Sequence, residues 1–360
     1  LEYELKTASD RVAHFLLVEE PESHIHTHIQ KTLFGKYTYD NTQVIVSTHS
    51  THISAASKIS SVNILAKSGR KAQVFHPANG LTPKSCQRIE RYLDAVRSTL
   101  LFAKGVILAE GDAEMILIPT LVKKVFGVSL DELGVSLINM SSSIFSNIAV
   151  LFHNKRINRK CAILTDLDTS YLVLPSDPTA DTKVQAGCRA SQKSGLQRKT
   201  ELDATCGANA WIKPFYAHYT FEVDLLMAGN EDEVVATLGT IYKQPAAKAR
   251  CETKLRSTDT EIWAAEILRL AESEGKGWFA LLLAEHIKPT TTIPTYILKA
   301  VAFSCCRTID DKTIVQMIKY RCDRCHKDSS QRRHVLSKMT SATPEEIQNE
   351  YVAQYPKHIL

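Results

Sequence analysis

Four apolar residues, Phe15 to Val18, run without interruption into Glu19 and Glu20, and a second run, Gln43 to Ser47, leads into Thr48, His49 and Ser50. Short apolar runs bounded by polar residues predict buried strands. Two more short strands, Val62–Ala66 and Ala72–Phe75, flank the turn signal "KSGRK", and a helix is expected over Ser85–Phe102 with Pro83 near its start. From Gly105 the chain alternates: strand Gly105–Ala109, helix Asp112–Phe126, strand Val135–Asn139, a helix near Ile144–Phe152, strand Cys161–Leu164. Fully apolar strands, each followed by a crossover helix, predict a parallel α/β sheet covered on both faces. The polar stretch 175–209 reads as a long insertion or poorly ordered linker. Structure is expected to resume at "WIKPFYAHYTFEVDLLMAG", with helices over Asp232–Ile241 and Asp259–Glu272, and the tail from Thr308 to Leu360 reads as helical with a basic middle, Lys319 to Arg332.

These patterns place domain boundaries at 1–83, a linking helix at 84–103, an α/β domain at 104–304 and a helical tail at 305–360. At 360 residues, 44% hydrophobic and 23% charged, the chain is long enough for two cores and ordinary for a soluble protein. A net charge of +5 tolerates a polyanionic partner without requiring one. Nine scattered cysteines in a chain of this size are expected to be reduced, which with the lack of a leader or a long apolar run points to the cytoplasm and away from membranes. Cys322 to His326, "CDRCH", has the spacing of half a zinc site, but no second pair lies nearby. The chain starts without methionine and enters its first strand abruptly, and is expected to be part of a longer protein.

The acids carry the chemistry. Glu110 and Glu114, four apart across a strand-to-helix turn, can face one point at the carboxyl end of the sheet, where open α/β sheets bind ligands. Asp166 and Asp168 follow a second buried strand at a spacing of two, which puts residues on one side of extended backbone. Four carboxylates so placed repel one another unless a divalent cation lies among them, and Mg²⁺ suits hard oxygen donors. The competing reading is that these acids cap helices or line a polar loop; Asp112 is expected to cap the helix that carries Glu114.

"LAEGDAE" followed by "LTDLD" resembles a Toprim domain, the metal-binding α/β module of topoisomerases, primases and certain nucleases. That resemblance implies that Glu110, Gly111, Asp166 and Asp168 form its site, and Glu114 points to the nuclease branch. Upstream, "FLLVEE" resembles the Walker B strand of ABC-type ATPases, which implies that Glu19 assists the Mg²⁺ of ATP and Glu20 orients the attacking water. "VIVSTHS" resembles their switch motif, with His49 near the γ-phosphate. No G-x-x-x-x-G-K-[ST] or LSGG-type signature occurs, so the chain is expected to hold the second half of an ATPase and not to hydrolyse ATP alone.

An ATPase half followed by Toprim resembles the OLD (overcoming lysogenization defect) family of ATP-dependent endonucleases, the broad group that includes the nuclease subunit of the Gabija anti-phage system. The family resemblance implies a catalytic role for Lys276 in "GKGWFALLLAEHI" and an acidic pair, Glu222 and Asp224, in "HYTFEVDLL". On a strand that pair could ligate metal together; otherwise one member caps the next helix or pairs with a base. One departure is "INMSSSIF", where family members carry a glycine after the second Toprim strand.

The expected fold is thus a partial ABC-type ATPase domain, a Rossmann-like Toprim domain and a mostly helical C-terminal region. The expected activity is metal-dependent DNA endonuclease cleavage with Mg²⁺ or Mn²⁺ held by Glu110, Glu114, Asp166, Asp168, Glu222 and Asp224, ATP in the full-length protein, and a part in anti-phage defence. DNA, a homodimer or higher homo-oligomer, and a missing ATPase segment or partner chain are the expected partners. The alternative keeps the fold and drops the enzyme: a DNA-binding or assembly protein that uses both domains as docking surfaces. A topoisomerase would need a nucleophilic tyrosine on a separate gate domain, and a primase would need a zinc module.

Overall fold

Strand β1 (His14–Glu19) and strand β2 (Thr42–Ser47) pair in parallel, with Glu19 opposite Ser47. Helix α1 (Thr27–Lys36) crosses between them, and α2 (Thr51–Ala56) follows with Ser50 as its cap. The computed structural model describes residues 14–36, 42–68, 70–94, 96–140, 145–305, 309–325, 329–339 and 342–355. Within these, β1 and β2 alternate between half-buried and exposed residues, and Phe15 and Leu17 are 65% and 73% exposed. The expectation of buried strands fails here because one face of the pair has no cover among the described residues. A hairpin of β3 (Ile64–Ser68) and β4 (Lys71–Phe75) comes next. The helix expected over Ser85–Phe102 is shorter, α3 (Pro83–Tyr92), because Asp94 Oδ1 accepts from the Val96 and Arg97 amides and starts a separate 3-10 turn at Arg97–Leu101.

The chain divides into two compact units, Leu1–Ala103 with Val150–Asn158, and Lys104–Ala149 with Arg159–Leu360. In the second, β5 (Gly105–Ala109), β6 (Val135–Asn139), β7 (Lys160–Asp166) and β8 (Ile212–Ala217) form a parallel sheet in the order β6-β5-β7-β8. Chain order reverses at β5, so a crevice opens beyond the carboxyl ends of β5 and β7, the switch point where such sheets receive ligands. Every residue of β5 is buried, as its unbroken apolar run requires. Helix α4 (Asp112–Phe126) packs Leu117, Ile118, Leu121 and Val125 into the core, and the short α5 (Phe145–Ala149) lies in the crossover to β7. The "INMSSSIF" departure falls largely on 141–144, outside the described residues.

The polar stretch 175–209 is not a poorly ordered linker. It forms the 24-residue helix α6 (Lys183–Cys206), begun by a capping box in which Thr182 and Gln185 satisfy one another's backbone amides. Its apolar content hides it from a periodicity search, because only Gly195, Leu202 and Cys206 are buried. After β8 come α7 (Phe221–Met227), α8 (Glu231–Ile241), α9 (Pro245–Leu255), α10 (Thr260–Glu274), α11 (Lys276–Ala284) and α12 (Thr295–Cys305). Helix α9 has no counterpart in the sequence reading. Helix α12 lies directly on β5: a Cβ at Gly105 would overlap the Ser304 carbonyl oxygen, and Ser304 Oγ donates to the Val106 carbonyl at 2.9 Å.

The tail adds α13 (Asp311–Arg324), α14 (Ser329–Lys338) and α15 (Pro344–Gln354) around a small core of Ile318, Cys322, Val335, Ile347 and Tyr351. Its basic middle is partly spent on the fold. Arg321 is buried, donating from Nε to Tyr351 Oη and from Nη1 to the Val125 carbonyl, and Arg332 pairs with Asp323 at 2.6 Å. Cys322 is likewise a core residue and Cys325 Sγ donates to the Pro289 carbonyl, while His326 of the half zinc site lies outside the described residues. Among the described residues no helix is long and apolar enough to cross a membrane.

Candidate functional site

Glu110 leaves the carboxyl end of β5, Gly111 stands in extended backbone ahead of α4, and Glu114 follows in the first turn of the helix, 8% exposed. Beside them β7 ends at Asp166. Thr165, the residue before it, donates its hydroxyl to Glu110 Oε1 and ties the two strand ends together. Burial first, then the Glu114, Glu110, Glu222 and Asp168 charges, pushes the Asp166 carboxyl well above the usual carboxylate range. Burial likewise raises Glu110, offset by Thr165 and by Arg198, and pushes Glu114 up to about 7 with help from Glu222 and Glu110. Carboxylates that raise one another in this way lack positive charge.

Asp168 joins this group by a turn and not by strand alternation. Its φ of 51° lies in the left-handed region, uncommon for a residue with a side chain, and its amide donates to the Tyr219 carbonyl at 2.9 Å. The chain has therefore left the strand before Asp168, and extended spacing does not explain the "DLD" pair.

Arg198 explains it. Its Nη2 donates to the Asp166 carbonyl oxygen at 2.6 Å and to Asp168 Oδ2 at 3.0 Å, while Nε lies 3.4 Å from Glu110 Oε1. One guanidinium thus joins both acidic motifs. Three residues earlier on the same helix face, Gly195 lets α6 approach so closely that a Cβ there would overlap the Leu167 carbonyl oxygen. A turn before that, Gln192 Oε1 accepts from the Ser170 amide at 3.2 Å. Arg198 is not legible in the sequence because it sits in the polar stretch 175–209, which reads as an insertion or linker without a motif; Gly195 within a helix-compatible run is the available signal of a close approach.

Glu222 and Asp224 are not a strand pair. They lie in the first turns of α7, where a spacing of two turns them to different sides. Glu222 faces the cluster with Oε1 3.5 Å from Lys276 Nζ, and its buried Oε2 has no hydrogen-bond partner. Asp224 instead accepts from the His218 and Tyr219 amides at 2.6 and 3.0 Å and fixes the loop that receives the Asp168 amide. Lys276 opens α11; burial pulls its ammonium down, but Glu222, Asp166 and Glu114 raise it on balance. Asp112 does not cap α4. Its Oδ1 accepts from Asn139 Nδ2 at 2.8 Å, bridging the ends of β5 and β6.

As the side chains lie, no three His, Cys, Asp or Glu residues among those described stand together as a ligand cage. The donor set still fits a hard divalent cation: all its members are carboxylates, they raise one another's proton affinity, and Glu222 Oε2 is buried with no partner.

In the first unit, Glu20 follows β1 with a left-handed φ of 40°, and its amide donates to the Ser47 carbonyl at 2.9 Å. This brings Glu20 Oε1 to 3.5 Å from His49 Nε2, joining two of the residues singled out in the sequence. Glu22, which the sequence reading passed over, organises the loop: it accepts from the Thr48 hydroxyl at 2.8 Å and the His49 amide at 2.7 Å. Glu19 ends β1 opposite Ser47.

Residues 101–168 match the family described as overcoming lysogenization defect protein-like, Toprim domain, and residues 7–55 match an AAA domain described as putative AbiEii toxin, type IV toxin–antitoxin system. The first match makes the Toprim segment OLD-like. The chain combines an ATPase segment with an OLD-like Toprim domain, and its mixed α/β fold with parallel sheets is that combination. Similar solved structures include the C-terminal region of the Burkholderia pseudomallei OLD protein, 25% identical, covering 58% of this chain and 100% of that one at a TM-score of 0.42. The C-terminal region of the Xanthomonas campestris pv. campestris OLD protein is 20% identical, covering 61% and 97% at a TM-score of 0.41. No curated protein matches the chain. The Toprim match ends at Asp168, so Arg198, Glu222 and Lys276 enter the site from outside the matched segment.

Proposed function

We propose that the chain is a metal-dependent DNA endonuclease whose cleavage is coupled to an ATPase, with a role in anti-phage defence. The ATPase-plus-Toprim composition supports a nuclease-type function. The observation that carries the finer reading is the convergence of Glu110, Glu114, Asp166, Asp168 and Glu222 with two cations, Arg198 and Lys276, at the switch point of a parallel sheet. Glu110, Glu114, Asp166, Asp168 and Glu222 would hold Mg²⁺ or Mn²⁺. Such an ion, when bound, makes a water nucleophilic near neutral pH and polarises the phosphodiester. Arg198 and Lys276 would hold the scissile phosphate and answer the charge that grows on the departing oxygen. Asp224 and Thr165 position these groups through the loops they fix. Since the groups address phosphate and not base edges, cleavage is expected to depend little on sequence.

Glu19, Glu20 and His49 would act on ATP in the full-length protein. The exposed row of Phe15, Leu17 and Ile45 on the β1–β2 pair suits coverage by the rest of an ATPase domain or by a partner chain. The test is nicking of supercoiled plasmid with Mg²⁺ or Mn²⁺, beside Glu110→Ala and Asp166→Asn, for the chain alone and for the full-length protein. Cleavage lost in both variants supports the reading; equal nicking by all three, or none in either form, sinks it and leaves a DNA-docking role.

A further inference from the structure

Along the outer edge of the Toprim sheet, β8 and the start of α12 enclose an open cleft of about 630 Å³. Its lining carries two ammonium groups, Lys213 from β8 and Lys299 from α12, with the His218 imidazole from the loop after β8. Asp224 is the only carboxylate in the lining among the described residues, and two backbone amides already occupy it. Lys213 Nζ sits 5.6 Å over the Phe215 ring, and no carboxylate partners it or Lys299 among the described residues. The apolar walls are Tyr216, Tyr296 and Met227, the last 52% exposed.

Two features decide what can enter. Pro214 interrupts the amide ladder of the edge strand, which disfavours an added β-strand and so a peptide or a second copy docking by strand pairing. Tyr296 lies within electrostatic reach of Asp166, Glu114 and Glu222, so the inner wall of the cleft is also the flank of the carboxylate cluster. Cations and aromatic rings beside a phosphate-cleaving centre match a single nucleic-acid strand, whose bases stack while its phosphates meet ammonium groups.

We propose that this cleft is a binding site for single-stranded DNA, holding the nucleotides that flank the scissile phosphate, with Lys213 and Lys299 on the backbone and Tyr296 against a base. The proposal rests on the nuclease reading for its orientation and is tested without turnover. Binding of a fluorescein-labelled oligothymidylate by the full chain is followed by anisotropy in EDTA between 50 and 200 mM salt. Lys213→Ala/Lys299→Ala is expected to weaken binding about tenfold at the lowest salt and to reduce the slope of log K against log[salt] by about 1.4, two phosphate contacts on a single strand. Tyr296→Ala is expected to lose about tenfold where Tyr296→Phe retains affinity; Lys312→Ala, on the exposed side of α13, should bind as wild type. Unchanged affinity and slope in the double variant overturn the proposal, as does an equal dependence on these lysines for blunt duplex. Lysine-dependent binding without plasmid nicking in any form would remove the nuclease reading and leave the cleft standing.

Discussion

Arg198 Nη2 lies 3.0 Å from Asp168 Oδ2, and the same nitrogen lies 2.6 Å from the Asp166 carbonyl oxygen. A helix outside the matched Toprim segment thus supplies the cation that organises the last acidic motif. Arg198→Ala leaves half-buried carboxylates uncompensated and should lower stability by about 1–3 kcal/mol in thermal unfolding without metal. Plasmid nicking should fall at least about a hundredfold. Arg198→Lys should recover part of the stability and little of the nicking, because one ammonium cannot span the positions the guanidinium fork reaches.

Gly195→Ala tests the approach that delivers Arg198. The added methyl overlaps a backbone carbonyl, which cannot swing away as a side-chain tip would. We expect about 1–3 kcal/mol of destabilisation by chemical denaturation. Gly187, on the same helix, has open space around its Cα, and Gly187→Ala should be neutral or slightly stabilising.

Glu114 gives the metal-free protein a pH dependence of defined sign. Its carboxyl is raised to about 7 in the fold from an ordinary 4.5, so between these values the folded state binds the extra proton. Stability therefore falls as pH rises through that window, by up to about 3 kcal/mol, and the loss is absent below pH 4.5. Glu114→Gln should make the fall of unfolding free energy from pH 5 to 8 shallower, the raised Asp166 and Glu110 carboxyls keeping the remainder, and a saturating divalent cation should oppose the fall in the wild type.

Lys276→Ala and Asp112→Ala separate residues that sit close together. The Lys276 side chain is half exposed, so its removal should change stability by under about 1 kcal/mol while nicking falls steeply. Asp112 holds Asn139 at the rim, and Asp112→Ala should cost about 1 kcal/mol in thermal unfolding with nicking retained.

Much of the frame was legible because apolar runs and strand ends obey local rules. The run from Val106 to Ala109 forms a buried strand as read, and Glu110 and Glu114 meet across the turn as their spacing implies. What was not legible depends on contacts between distant segments. Arg198 acts through a helix that buries only Gly195, Leu202 and Cys206 and so shows no apolar stripe, and Asp168 acts through a left-handed turn pinned by the Tyr219 carbonyl. Glu222 and Asp224 were separated by a choice of helix over strand, which Thr220 makes by accepting from the Val223 amide as the cap of α7. Asp112, expected as a cap, found a partner on the neighbouring strand instead.

The seat of α12 against β5, where Gly105 admits the Ser304 backbone, joins segments almost two hundred residues apart. A ribosome releases β5 long before the helix that covers it, and Lys276 and β8 also arrive late. Until residue 305 has emerged, one face of the central strand stays open and the acids at its end have only part of their surroundings. Such nonlocal closure slows folding and leaves the nascent sheet adhesive. The order of synthesis thus keeps the carboxylate cluster incomplete until most of the chain has been made.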